Sequence, residues 1–173
     1  DGLPPVKFWW YDGKPGADYT FRPRAEATKD VSEMMGDLPG SGCLLVGDKG
    51  QLFSPDDYGA RFYVKIGSDK ELVNGSNHPA VQAVPTSIPR SAFQGGADER
   101  QHLEWIAGIK GGPTPYSNFD IAAYLTEIIL LGCVALRVGK GRTLDWDGPN
   151  MRAKNEPRAA QFVKREYRRG WSL

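Results

Sequence analysis

GCLLVGDKGQLFS, residues 42–54, is the stretch whose reading decides the fold. Two apolar runs, Cys43 to Val46 and Gln51 to Ser54, flank the short polar turn Gly47-Asp48-Lys49-Gly50. Glycines at both ends of such a turn supply the backbone freedom that a tight hairpin loop needs, so the stretch predicts an antiparallel hairpin. Working outward, Arg61 to Ile66 (RFYVKI) predicts a further strand. Alternation turns its Phe62, Val64 and Ile66 inward and its Arg61, Tyr63 and Lys65 outward. Upstream, Val6 to Tyr11 (VKFWWY) has the aromatic and β-branched content of a strand and ends at the turn pair Asp12-Gly13. It places aromatics on both faces, Phe8 and Trp10 on one, Trp9 and Tyr11 on the other. The second face is therefore expected to be covered, by a helix, a partner or a sugar.

Helical signals surround these strands. Residues 14–38 are polar and irregular, with one short helix expected around Ala25 to Met35. Asp98 to Lys110 has an acidic first turn, an apolar stripe of Leu103, Ile106 and Ala107, and a Gly111-Gly112 stop. Phe119 to Val138 is the longest element, with Ser117 or Asn118 available as cap and Gly139 just beyond its end. Its second half is apolar on nearly all sides, which predicts burial all round, and Gly132 in its middle predicts a close contact there. The uncharged run Ile128 to Leu136 is much shorter than the roughly 20 apolar residues of a bilayer span, so a buried soluble helix is expected. A short strand at Thr143 to Trp146 and a last helix at about Glu156 to Arg169, with Pro157 in its first turn, complete the chain. Residues 67–97 lack a sustained period and read as a surface excursion. The sum is an α+β fold: one domain over 1–173, with an open, mainly antiparallel sheet and helices packed on one face.

Composition limits the functional classes. The 173 residues carry 22 Lys+Arg against 21 Asp+Glu, a formal net charge of +1, which gives no bulk positive field for nucleic acid. Residues 152–173 are locally +5, leaving −4 on the remainder. The ordinary account is a solvated face on the last helix; the alternative is a patch that docks an acidic neighbour. Cys43 and Cys133 have no metal-ligand spacing and are expected to be small buried apolar residues. Residue 1 is Asp and the first Met is Met34, so an upstream part of the protein is expected.

Candidate chemistry is sparse. Gly40-Ser41-Gly42 begins like a dinucleotide fingerprint, but the third glycine is missing and a hairpin strand follows where a helix N-terminus is needed. His102, with Glu99 one turn earlier as an orienting carboxylate, is the one acid/base candidate; the alternative is a solvent-facing helix residue. Trp9, Tyr11 and Tyr63 are candidates for an interface or a sugar-stacking platform on an exposed sheet face. No metal-ligand set is visible.

Several strings together carry a family resemblance: FWWYDG (8–13), LPGSGCLLVGDKGQLFSPDDYGARFY (38–63), EWIAGIKGGPTPYSNFD (104–120), LTEIILLGCVALRVGK (125–140), LDWD (144–147) and EYRRGW (166–171). The chain resembles the C-terminal part of bacterial Gfo/Idh/MocA-like oxidoreductases, the relatives of glucose–fructose oxidoreductase and inositol dehydrogenase. The resemblance implies a parent that transfers a hydride between NAD or NADP and a sugar or polyol. It implies an N-terminal Rossmann domain lying upstream of Asp1, together with the family's Glu-Lys-Pro and Asp-x-x-x-His motifs, none of which occurs here. This chain would then hold no catalytic, cofactor-binding or metal-binding residue and would be inactive alone. Its implied partners are its own Rossmann domain and further copies of the protein, with no nucleic acid and no membrane. The resemblance points to a bacterial cytoplasm or periplasm without choosing between them. The alternative expectation is a carbohydrate-binding or purely structural dimerisation module that uses the aromatic sheet face.

Overall fold

The structure, a computed structural model, describes residues 4–12, 22–88 and 90–171. Gly13 of the expected turn pair and the first part of the irregular stretch, to residue 21, lie outside the described residues. Two compact units divide the chain, Asp1–Ile88 and Pro89–Leu173. The architecture is α+β with an open antiparallel sheet.

In the first unit the expected hairpin forms β1 (Cys43–Gly47) and β2 (Gly50–Ser54), in register from Cys43↔Ser54 to Gly47↔Gly50. Gly50 is the glycine the turn requires. Its φ is +150°, and a Cβ there would clash with the Lys65 carbonyl oxygen of the next strand. That strand, β3 (Tyr63–Ile66), pairs antiparallel with β2, and β4 (Val73–Asn74) pairs with β3, giving the order β1-β2-β3-β4. A 3-10 turn, Ala25–Thr28, leads into α1 (Lys29–Met35), where the short helix was expected.

Helix α1 supplies the cover for one sheet face. Val31, Phe53 and Leu72 form the buried cluster, with Met34, Leu38, Leu44 and Tyr63 packed around it. Asp30 of α1 accepts hydrogen bonds from Gln51 and from Lys65 Nζ, the latter at 2.8 Å. The face expected to point outward, Tyr63 and Lys65, is therefore the face that α1 covers. The reason is that Asp30 neutralises the lysine head while its stem and the tyrosine ring lie against the helix. Val64 on the opposite side is buried as well.

Residues 6–11 correct a second expectation. They join no strand or helix, and Val6, Phe8, Trp9, Trp10 and Tyr11 are all exposed. Strand propensity alone does not make a strand; a partner must supply the ladder hydrogen bonds. The excursion at 67–97 holds β4, a 3-10 turn at Gly75–Asn77 and the short α2 (Pro79–Gln82).

The second unit is built on α3 (Ala97–Ile109) and α4 (Phe119–Val138). Asn118 caps α4: its Oδ1 accepts from the Asp120 N–H at 2.9 Å and its Nδ2 donates to the Pro115 carbonyl at 2.9 Å. A two-stranded ladder follows, β5 (Trp146–Asp147) with β6 (Arg152–Ala153), in place of the strand expected at 143–146. The Asn155 side chain ties Thr143 and Asp145 instead, accepting from the Asp145 N–H and donating to the Thr143 carbonyl. The last helix is shorter than expected. A 3-10 turn at Pro157–Ala159 and α5 (Ala160–Val163) end where the charged run Lys164-Arg165-Glu166 removes any apolar face to hold further turns.

Candidate functional site

The residues singled out for chemistry do not converge. His102 is an exposed residue of α3, and among the described residues it makes no hydrogen bond or ion pair with Glu99 or any other group. The histidine that the fold does hold is His78. Its Nδ1 accepts from the Ala80 N–H at 3.2 Å, capping α2, and its Nε2 lies 3.1 Å from Asp69 Oδ2, which also accepts from the Ile66 N–H. One ring nitrogen thus caps α2 and the other ties the loop to β3 through Asp69. Pro79 at the helix start was the sequence signal for that cap.

The carboxylates that are shifted are likewise structural. Glu156 is held below the ordinary range by hydrogen bonds from the Arg158 guanidinium, 2.9 Å away, with Arg142 adding to it at 3.1 Å. Asp147 is lowered by Asn150 first and by Arg152 next, and Asp56 by backbone N–H groups beginning with Tyr58. Asp30 is lowered chiefly by Lys65. Each is a satisfied acceptor. None is a carboxylate kept neutral for proton donation. Among the described residues no group of His, Cys, Asp and Glu has the arrangement of a metal site.

Trp9, Tyr11 and Tyr63 occupy different settings. Tyr63 is half-buried against the Val31–Phe53–Leu72 cluster, whereas Trp9 and Tyr11 belong to the unpaired 6–11 stretch. Phe8 and Trp10 do fall on one side, with ring centroids 6.1 Å apart, as alternation requires.

What the structure leaves open are surfaces. One side of α4 is covered by the segment that follows it. Trp146 Nε1 donates to Glu127 Oε1 at 2.7 Å, Arg137 lies over the Phe162 ring at 5.8 Å, and Val134 is buried. The opposite stripe, Ile121, Leu125, Ile128, Ile129 and Leu136, is between 41% and 74% exposed. At its centre a Cβ on Gly132 would meet nothing within 4 Å. The expected all-round burial of this helix is therefore not observed: among the described residues of the second unit, no element covers that stripe. By length and composition α4 is also apolar enough to cross a membrane, with mean hydropathy 1.9 over its best window. Cys43 and Cys133, expected to be buried, are both exposed and unpaired, each on an element with an uncovered side.

Comparison with family models, with curated proteins and with solved structures returns no match.

Proposed function

We propose that this chain is a scaffold portion of a larger oxidoreductase of the Gfo/Idh/MocA type. In this reading it supplies sheet framework, substrate side and oligomer interface to a parent that moves a hydride between NAD(P) and a sugar or polyol. The chain alone is inactive, because hydride transfer needs a bound nicotinamide and a positioned acid/base group. The observation that carries the proposal is the uncovered α4 stripe. It coincides with one of the strings behind the resemblance, LTEIILLGCVALRVGK, so one of the stretches that carry the resemblance is also one with an uncovered apolar side.

A helix with five large apolar side chains on one open stripe and a glycine at its centre is shaped to receive another packed body, such as a nucleotide-binding domain. The covered side favours a protein over lipid as that body, since Glu127 and Arg137 are already engaged by Trp146 and Phe162 of the same unit. The test is a spectrophotometric assay of hydride transfer with NAD+ and NADP+ over a panel of sugars and polyols. It is run on the 173-residue chain and on the gene product read from its own start codon. Activity in the longer product and none in the chain is expected. Turnover by the chain alone, or a longer product without a nucleotide-binding domain, would overturn the proposal. Partition of the chain into vesicles through α4 would replace it with a membrane role.

A further inference from the structure

The sheet has two edges, and they are treated differently. The β4 edge is two residues long, one of the ordinary ways to protect a sheet edge. The β1 edge is five residues, Cys-Leu-Leu-Val-Gly, with no charge and no proline, and a regular ladder to β2 without a bulge. Leu45 is 57% and Val46 75% exposed, and among the described residues no strand pairs with the outer side of β1. Soluble proteins seldom leave such an edge bare, because its free N–H and C=O groups template pairing with any suitable strand.

A suitable strand is present and unoccupied. Residues 6–11, six residues of high strand propensity with one charge, Lys7, pair with no strand among the described residues, and the Phe8 and Trp10 rings lie 6.1 Å apart. We infer that β1 is a strand-acceptor edge and that its occupant is the 6–11 segment of a second copy, in a reciprocal exchange about a two-fold axis. A two-fold arrangement uses both free edges and both free strands at once and leaves nothing to propagate into a filament.

Phe8, Trp9, Trp10 and Tyr11 are exposed by 65%, 65%, 64% and 39%. Aromatic side chains carry about 200 Å² each, so each strand offers up to roughly 450 Å² of aromatic surface. Two such strands bring up to about 900 Å² to the contact, to which Leu45 and Val46 of each acceptor edge add their exposed area. Cross-strand pairing of Trp and Phe with Leu45 and Val46 is of the kind that stabilises sheets. This inference rests on the scaffold reading only for the expectation that copies associate.

The experiment uses the full 173-residue chain. Sedimentation velocity should give a dimer, and Val46→Lys, at an exposed edge position, should weaken it by about tenfold or more while the circular dichroism is kept. Cysteine placement gives an independent readout, since Cys43 sits in β1 and is exposed. In a Cys133→Ser background, Phe8→Cys, Trp9→Cys and Trp10→Cys are oxidised in turn. Disulfide-linked dimers through Cys43 should form with a yield that alternates along the segment. A monomer, whether its 6–11 amides are protected from exchange or not, overturns the inference, and so does a dimer indifferent to Val46→Lys. Neither result touches the oxidoreductase proposal, which the hydride-transfer assay decides separately.

Discussion

The β1–β4 sheet with α1 and the long helix α4 are opposite solutions to the same composition of Leu, Ile, Val and Phe. In the first, three apolar residues, Val31 of α1, Phe53 of β2 and Leu72 just before β4, close on one another and draw Tyr63 and Leu44 around them. In the second, a twenty-residue helix buries only Val134, and its Ile121, Leu125, Ile129 and Leu136 side is exposed. The lesson is that apolar content sets how much must be covered, while partner geometry sets whether the cover is local. Hairpin and helix are close in sequence, so the sheet unit finds its own partners. The α4 stripe does not.

The sharpest way to test this contrast is to remove one large side chain from each side. Phe53→Ala should cost about 3–5 kcal/mol, the usual loss for a buried phenylalanine, read as a fall in urea midpoint for the first unit. Ile129→Ala on the open stripe should change the stability of the isolated chain by less than about 0.5 kcal/mol. Comparable losses at the two positions would erase the distinction. Next in size, Gly50→Ala should cost about 3 kcal/mol, because the added methyl meets the Lys65 carbonyl and the φ of +150° is strained for alanine. A midpoint unchanged by that substitution would show that the β2–β3 ladder relaxes freely there.

A smaller effect separates the electrostatic tie from the packing. Asp30→Asn should cost about 1–2 kcal/mol near pH 6, since the carboxylate accepts from both Gln51 and Lys65 while remaining partly solvated. The Asp30 carboxyl lies below its ordinary 3.8 when folded, chiefly through Lys65. Its contribution is therefore complete above the unfolded value and disappears as pH falls through the folded one. The difference between wild type and Asp30→Asn should shrink as urea titrations are repeated below pH 3.8. A difference that stayed constant would assign the effect to shape alone.

Sequence legibility follows the same divide. The hairpin was readable because the two short runs and the glycines of their turn lie within thirteen residues, and α4 was readable end to end through Asn118 and Gly139. The 6–11 strand was not, because a strand is defined by a non-local partner, and propensity cannot say whether one is within reach. That the Tyr63 and Lys65 face of β3 is covered as well as the Val64 face was not legible for a related reason: nothing local reveals that Asp30, 35 residues before Lys65, will neutralise it. The last helix was overextended because Pro157 and Gly170 mark plausible ends, yet Lys164 to Arg169 offer no apolar side to pack. Of the candidate site residues, His102 and Tyr63 were placed on the right elements, but their surroundings depend on contacts that spacing does not encode.

Gly132 gives a small predicted effect and the one whose sign is most informative. In an isolated α4 the glycine is a cost of about 1 kcal/mol against alanine, and the space beside it is open. Gly132→Ala should therefore stabilise the 173-residue chain by about that amount, measured as a raised urea midpoint of the second unit. A glycine at the middle of an apolar stripe is useful only if another backbone comes close enough to exclude a methyl. In the larger assembly proposed for this chain the same substitution should then destabilise, because the partner body can no longer seat on Ile128, Ile129 and Leu136. Opposite signs in the isolated and assembled protein locate the missing partner at this helix. Equal signs would mean that the stripe is covered elsewhere along its length and that Gly132 lies outside the contact.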